Sequence, residues 1–455
     1  MSSAGAPPEV LQYIEGHQQQ FIDRLAEAVA IRSVSGDPTR RQDVIAMGDW
    51  LEGQLQSLKV STQRVDLGFQ DGQPDDEPLP LPPVILSRVG EDPAKRTVLV
   101  YGHYDVQPAE RSDGWNTDPW KLDQNDQTGR LTGRGSTDDK GPVLGWLNVL
   151  EAHNALGLEL PVNLRFCFEG MEESGSDGLD AFIADEAKKG EEGYFNGVSC
   201  VCISDNYWLN ARTPCVTYGL RGIVTFQMTV SGPAHDLHSG MFGRVVHEPM
   251  TDLAILMSQL VAPCGKILID EVEKMVPAPT DEEKKEYEKL DYTVKDLDDA
   301  VGAHIGLSDD HGELLMGRMR YPSLSLHGIE GAYSGPGVKT IIPAKVTAKF
   351  SIRIVNPQTP EKVVDAVKKY VEDAFAQIDT KNTLTFEMLD AGDAWVADNT
   401  HWNYQAAIRA TEAVYKHTPD LTREGGSIPV TLTFAEQLGV NVLLLPMGRG
   451  DDGAQ

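Results

Sequence analysis

Acidic side chains concentrate in four short segments of the sequence, each at the end of a predicted strand or in the loop that follows one. These segments are Tyr101–Asp105, Asp138–Gly141, Glu172–Gly175 and Ser204–Asn206. The carboxyl ends of strands in an open parallel sheet face a common crevice, where ligands bind. Carboxylates brought together there repel one another unless some are protonated or a cation is bound. The sequence therefore predicts a metal site at one edge of a sheet.

The residue types indicate which metal would bind. One imidazole, that of His103, with several carboxylates suits zinc, manganese or cobalt. His103 and Asp105 are two residues apart, so that one can bind the metal while the other fixes the imidazole. The cysteines follow no ligand spacing, which argues against a thiolate site and favours small buried thiols in a reducing compartment. They are Cys167, Cys200, Cys202, Cys215 and Cys264.

Together, these segments have the pattern of a known family. The stretches His103–Asp105, Gly133–Gly141, Glu169–Gly175 and Ser204–Asn206 resemble the co-catalytic zinc peptidases of the carnosinase and aminoacylase family. The resemblance runs over nearly the whole chain. It is closest to the cytosolic non-specific dipeptidases and the fungal Cys-Gly dipeptidases of glutathione breakdown. It implies hydrolysis of dipeptides, either Cys-Gly-like or of broad specificity.

The same resemblance implies a site for two divalent metal ions, with zinc as the expected metal and manganese as the alternative. Asp138 matches the carboxylate that bridges the two ions. His103 and Asp205 match the ligands that complete one site, and Glu173 matches a ligand of the other.

Two further carboxylates match catalytic positions of the family. Asp105 matches the partner that orients His103, and Glu172 matches the general base that takes a proton from a metal-bridging water. Two cations lower the pKa of bound water, and a free carboxylate can accept its proton and deliver it to the leaving amine. Glu172 as a second metal ligand is the alternative. A glycosidase using Glu172 and Glu173 is disfavoured, since adjacent residues rarely straddle a sugar bond at separations of about 5 Å or more.

The segment Ala234–Gly240 carries two histidines, His235 and His238. From the residues alone, the pair suggests either another metal site or a surface turn. The family histidine that His238 matches reaches from an inserted domain into the partner subunit's active site and helps to stabilise the oxyanion. The match implies a homodimer in which His238 is shared across the interface, whereas His235 has no counterpart.

A dipeptidase must also hold the free C-terminal carboxylate of its substrate. Gly425–Ser427 precedes Pro429, which is typical of a helix N-terminus whose N–H groups bind an anion. Arg353 lies on the polar face of a predicted strand, where a solvated charge is the alternative. The residues that resemble the family's contacts to the substrate carboxylate are Thr340, Arg353, Gly426 and Ser427.

Two positions depart from the family. Its members continue through Asp-Asp-Gly-Ala-His, and that histidine is the remaining ligand of the Glu173-side metal, whereas here Ala454 is followed by Gln455. The neutral carbonyl of glutamine is a poor zinc ligand beside imidazole, and the terminal carboxylate of Gln455 is an alternative ligand. Asp390 stands where close relatives carry a histidine. Two hypotheses follow: a dipeptidase, or an impaired or inactive relative that keeps the fold and binds one metal or a peptide.

Strands that alternate with helices must position these residues. This alternation is typical of an α/β domain with a largely parallel sheet. Two later strands, 224–230 and 346–354, alternate apolar and polar residues and are expected to have one wet face. We therefore predict a zinc-peptidase catalytic domain at 1–216 and 389–455, interrupted by an inserted α+β lid and dimerisation domain at 217–388. The predicted helices include 11–34, 143–153, 281–295, 360–378 and 401–417, and the predicted strands include 84–86, 97–101, 162–168, 198–204, 383–389 and 440–445.

Composition narrows the possible partners. The net charge of -29 argues against a nucleic acid, because phosphate binding needs a clustered basic face. No apolar run approaches the roughly 20 residues that span a membrane. The first residues carry neither a signal segment nor a transit helix, so that the cytoplasm is expected.

Overall fold

The computed structural model describes residues 5–70 and 78–453. They fall into two compact units, one of Met1–Tyr218, Ala397–Thr422 and Pro429–Gln455, and the other of Gly219–Val396 and Arg423–Ile428. The second unit thus extends past residue 388, where we placed the end of the inserted domain, because the last strand of its sheet continues to Gly392.

The elements have the following bounds. The helices are α1 (Pro8–Gly16), α2 (Gln18–Ala30), α3 (Arg41–Ser57), α4 (Lys140–Leu156), α5 (Leu179–Lys188), α6 (Ser239–Phe242), α7 (Pro249–Met257), α8 (Asp270–Lys274), α9 (Asp281–Glu288), α10 (Val294–Val301), α11 (His311–Met319), α12 (Pro360–Gln377), α13 (Trp402–Tyr415) and α14 (Pro429–Leu438). The strands are β1 (Thr62–Val65), β2 (Val84–Val89), β3 (Thr97–His103), β4 (Asp123–Gln124), β5 (Leu131–Thr132), β6 (Asn163–Glu169), β7 (Val198–Ile203), β8 (Cys215–Leu220), β9 (Gly222–Ser231), β10 (Leu237–His238), β11 (Ser323–Glu330), β12 (Ile341–Ile342), β13 (Lys345–Ile354), β14 (Thr383–Gly392), β15 (Trp395–Val396), β16 (Asp420–Glu424) and β17 (Val442–Leu444).

The first unit is organised around a sheet with the strand order β1-β2-β6-β3-β7-β17-β8. Strands β6, β3, β7 and β17 are parallel neighbours, whereas β1, β2 and β8 run antiparallel to the strands beside them. The prediction of an α/β fold with a largely parallel central sheet is confirmed. Because the carboxyl ends of β3, β6 and β7 lie at the same edge, the residues that follow them come close together.

The central strands of this sheet are covered by helices. Val100 of β3 and Phe166 of β6 belong to one buried core, together with Leu51 of α3 and Leu147 of α4. Burial of each such side chain contributes about 1.5–3 kcal/mol. A strand that is buried on both faces has a continuous run of apolar residues in its sequence. For this reason β3 and β6 were predicted close to their actual bounds.

The second unit contains an antiparallel sheet with the order β11-β13-β9-β14. Residues alternate along β9 between buried and partly exposed, as predicted for a strand with one wet face. Phe226 of β9 and Phe350 of β13 share a core with Leu253 of α7 and with Val363 and Val367 of α12.

Two helix predictions are wrong. The segment 11–34 forms two helices, because His17 departs from helical geometry (φ -116°, ψ 17°) and the chain turns extended at Ile31. Val34 then forms a β-bridge with Val106, which a continuing helix could not make. The charged segment 281–295 likewise divides between α9 and α10, and Thr293 caps the second of these.

We also searched residues 5–70 and 78–453 for helices that could cross a bilayer. Within these residues, no helix combines the necessary length and apolar composition.

Candidate metal centre

The ends of the parallel strands carry the first site residues. His103 is the last residue of β3 and lies in register with Glu169, the last residue of β6. Asp205 comes shortly after β7, and Asp138 and Asp139 immediately precede α4. The topology thus brings the acidic segments to one edge of the sheet.

The imidazole of His103 faces three carboxylates. Its Nε2 atom is 3.0 Å from Oδ1 of Asp138, 3.6 Å from Oδ2 of Asp205 and 4.0 Å from Oε2 of Glu172. The side chain is fully buried, so that this nitrogen faces the three carboxylates away from bulk water. The ligand atoms of His103, Glu172 and Asp205 all lie within 4.8 Å of one another. This arrangement fits a cation, because carboxylates that converge on one imidazole nitrogen repel one another unless protons or a metal ion offset their charge.

The carboxylate of Asp105 fixes the other side of the same imidazole. Its Oδ1 atom lies 3.3 Å from Nδ1 of His103, and both side chains are fully buried. The two oxygens of Asp105 also accept the backbone N–H groups of Glu172 at 3.2 Å and Glu173 at 3.1 Å. A proton on Nδ1 directed at Asp105 leaves the Nε2 lone pair free, which is the tautomer that binds a metal.

Glu172 and Glu173 have different neighbours although they are adjacent. They begin a 3₁₀ turn, Glu172–Ser174, which sends consecutive side chains in different directions. Glu172 points to His103, whereas Oε2 of Glu173 accepts a hydrogen bond of 2.8 Å from Nε2 of Gln107. Two adjacent carboxylates can therefore have separate roles.

Several carboxylates of this cluster have raised pKa values. Burial, together with nearby carboxylates, raises the pKa of Glu172 and of Asp205, although His103 opposes the rise at both residues. Burial and the charge of Asp138 raise the pKa of Glu173 to about 7. Raised pKa values of this kind arise where neighbouring carboxylates oppose one another's ionisation. Divalent cations would offset their charge, and imidazole with carboxylates is a donor set suited to zinc or manganese.

Sequence reasoning gave no role to three residues beside this cluster. Oδ2 of Asp139 accepts the backbone N–H of His103 at 3.2 Å, and Gln107 donates to Glu173. Tyr207 has a raised pKa because of burial and the charges of Asp138 and Asp205. The motif itself contained a signal for Asp139, which stands next to the proposed bridging residue.

The five residues assigned to substrate binding all lie in the second unit, and four of them form two pairs. Nε2 of His238 is 3.3 Å from Oγ1 of Thr340, and Nδ1 of His238 accepts the backbone N–H of Gly240 at 3.0 Å. The guanidinium of Arg353 donates to Oγ of Ser427 at 3.0 Å.

Gly426 precedes Ser427, and an added Cβ atom would meet only Glu424, at 4.0 Å. The space beside Gly426 is therefore open. His235 and Asp390 are exposed. Gln455, the doubtful metal position, lies outside the described residues.

Comparison with known proteins identifies the class to which this fold and site belong. The model of Peptidase family M20/M25/M40 matches residues 99–455. The Cys-Gly metallodipeptidase dug1 of Schizosaccharomyces pombe is 51% identical over 446 residues, which cover 98% of this chain and 92% of that protein. The Beta-Ala-His dipeptidase of Homo sapiens is 42% identical over 458 residues, which cover 99% of this chain and 89% of that protein.

A solved structure agrees with these matches. The structure of the di-peptidase Dug1p from Saccharomyces cerevisiae aligns with a TM-score of 0.89 at 50% identity, covering 98% of this chain and 92% of that chain. The chain belongs to Peptidase family M20/M25/M40 and is a peptide-bond hydrolase. The family predicted from the sequence is confirmed, and membership implies divalent metal ions.

Proposed function

We propose that the chain is a dipeptidase that uses two divalent metal ions, with zinc as the expected metal and manganese as the alternative. The observation that best supports this is the convergence of three carboxylates on the buried Nε2 atom of His103, at 3.0–4.0 Å, with the ligand atoms of His103, Glu172 and Asp205 within 4.8 Å of one another. The relatives named above act on Cys-Gly and Beta-Ala-His. The proposed ligands are His103, Asp138, Glu173 and Asp205.

The side chains of this site have separate roles in the proposed hydrolysis. When bound, the metal ions polarise the scissile carbonyl and lower the pKa of water. Glu172 accepts the proton of the attacking water and delivers it to the leaving amine, a role that suits a partly buried carboxylate with a raised pKa. Asp105 holds the imidazole of His103 in orientation and fixes the turn that carries Glu172.

The second unit would hold the free carboxylate of the substrate. Arg353 carries a permanent positive charge and is already paired with the hydroxyl of Ser427, beside the open space at Gly426. His238 and Thr340 form the second pair of polar side chains. We propose further that the protein is a homodimer in which His238 completes the partner's active site. The exposure of His238 supports this proposal. The cytoplasmic location and a role in glutathione breakdown stay predictions.

The test combines metal analysis with a hydrolysis assay on Cys-Gly and Ala-Gly. We expect two equivalents of metal and turnover, and a loss of about 10²–10⁴-fold in kcat for Glu172→Gln. Glu191→Gln, a change on the exposed surface of the same unit, serves as the matched control and should keep full activity. One equivalent of metal without turnover would instead favour the alternative, an impaired relative that binds one metal or a peptide.

A further inference from the structure

The short segment that follows α2 forms hydrogen bonds with residues that flank the metal centre. It contains two serines, Ser33 and Ser35, whose side chains are 0% and 2% exposed. The β-bridge between Val34 and Val106 aligns this segment with the residues that follow β3. Neither serine belongs to any of the acidic segments.

Ser33 holds both neighbours of Asp105. Its hydroxyl donates to the backbone carbonyl of Tyr104 at 2.7 Å. Its own carbonyl accepts the backbone N–H of Val106 at 2.9 Å. Asp105 is thus fixed on each side by a bond to one residue, which limits rotation of its backbone.

Ser35 holds the turn that carries the two glutamates. Its Oγ atom lies 2.9 Å from Oγ of Ser174, the last residue of that turn. The first two residues of the turn donate their N–H groups to the carboxylate of Asp105. The hydrogen bonds therefore close a ring, which runs from Ser33 to Asp105, across to the turn, and back through Ser174 and Ser35.

We propose that Ser33 and Ser35 are positioning residues for the metal centre. They fix the distance between the segment Tyr104–Val106 and the Glu172–Ser174 turn, so that the imidazole and the carboxylates face the same point. A closed ring of buried and partly buried hydrogen bonds resists distortion better than the same bonds separately. The consequence for turnover rests on the proposed dipeptidase function, but the consequence for metal binding does not.

A double-mutant cycle tests the Ser35–Ser174 bond, with Mn²⁺ affinity measured by titration calorimetry on the folded, metal-stripped protein. We expect Ser35→Ala and Ser174→Ala each to weaken Mn²⁺ binding about tenfold, as for other residues that support metal ligands. Because one bond is lost in either case, the double variant should lose no more than about tenfold. Ser174→Thr keeps the hydroxyl at a partly exposed position and should bind Mn²⁺ as the unmodified chain does.

The matched control is Ser87→Ala. Ser87 is buried in the same unit, and its hydroxyl has no hydrogen-bond partner among residues 5–70 and 78–453. Its removal should leave Mn²⁺ affinity unchanged. In the metal-loaded enzyme, Ser35→Ala and Ser174→Ala should lower kcat for Cys-Gly and leave KM within about twofold, because neither serine would touch the substrate.

Two results would overturn the proposal. One is normal Mn²⁺ affinity in Ser35→Ala and Ser174→Ala with only a lower Tm, which would mean a structural role alone. The other is a double variant whose loss equals the product of the two single losses. If the unmodified chain binds Mn²⁺ but hydrolyses nothing, the dipeptidase proposal fails and the affinity cycle still decides the role of the serines.

Discussion

The carboxylate of Asp105 lies against the imidazole of His103 on one side and accepts hydrogen bonds from the glutamate turn on the other. Oδ1 lies 3.3 Å from Nδ1 of His103, and the two oxygens accept the N–H groups of Glu172 and Glu173. One buried side chain therefore sets both the tautomer of the histidine and the position of two carboxylates.

Asp105→Asn should weaken metal binding by about 10–100-fold, the usual cost of losing a partner that orients a ligand. The new NH₂ group cannot accept hydrogen bonds, so that at least one of the existing bonds to Asp105 is lost. Calorimetric titration with Mn²⁺ measures the change. Asp185→Asn, which alters an exposed carboxylate paired with Lys188, is the matched control. Equal affinity in the two variants would contradict this role of Asp105.

Glu172 and Glu173 should respond differently to the same substitution. If Glu172 is the base and Glu173 a ligand, Glu172→Gln keeps metal affinity and loses kcat, whereas Glu173→Gln loses affinity. Paired titrations and rate measurements on the two variants give the answer. A strong loss of affinity in Glu172→Gln would assign Glu172 as a ligand, which its position within 4.8 Å of the ligand atoms of His103 and Asp205 also allows.

Removal of metal should destabilise the first unit. Metal ions bind the folded chain and neutralise a buried acidic cluster, so that a chelator should lower Tm by about 5–10 °C. Differential scanning calorimetry with and without chelator measures the difference, and added Mn²⁺ should restore it. In His103→Ala the chelator should cause a much smaller shift. A shift as large as that of the unmodified chain would place the stabilising metal elsewhere.

Arg353→Met should raise KM for dipeptides by about tenfold or more, because hydrogen bonds to charged groups contribute about 1.5–3 kcal/mol. A dipeptide amide, which lacks the carboxylate, should show little change. Lys349→Met alters a partly exposed cation of the same strand, paired with Glu330, and is the matched control. If KM for the amide rises as much as for the free dipeptide, Arg353 does not contact the carboxylate.

Gly102→Ala should disturb the site by steric overlap. An added Cβ atom would lie 2.6 Å from Val143 and 2.7 Å from Oδ2 of Asp139, which bonds to the backbone of His103. Overpacking of this kind costs about 1–3 kcal/mol of stability. Gly53→Ala, with nothing within 4 Å of the added Cβ, should instead be neutral or stabilising because it lies in α3. Denaturant unfolding of both variants measures the two effects.

The sequence predicted the strands β3, β6 and β7 and the acidic residues at their ends, because buried parallel strands and the loops after them have local signatures. It did not predict the serine ring. Ser33 and Tyr104 are 71 residues apart, and Ser35 and Ser174 are 139 apart, so that their bonds depend on the path of the whole chain. Helix 11–34 was predicted too long at its C-terminal end for a related reason, because α2 ends at Ala30 and Val34 pairs with the distant Val106.

The assignment of the metal ligands to one unit and of the carboxylate contacts to the other has an evolutionary consequence. Under the proposed function, substitutions near Arg353 or Ser427 would act on peptide selection through residues that belong to a different unit from His103. Related proteins would then differ in substrate specificity while they keep the same catalytic residues.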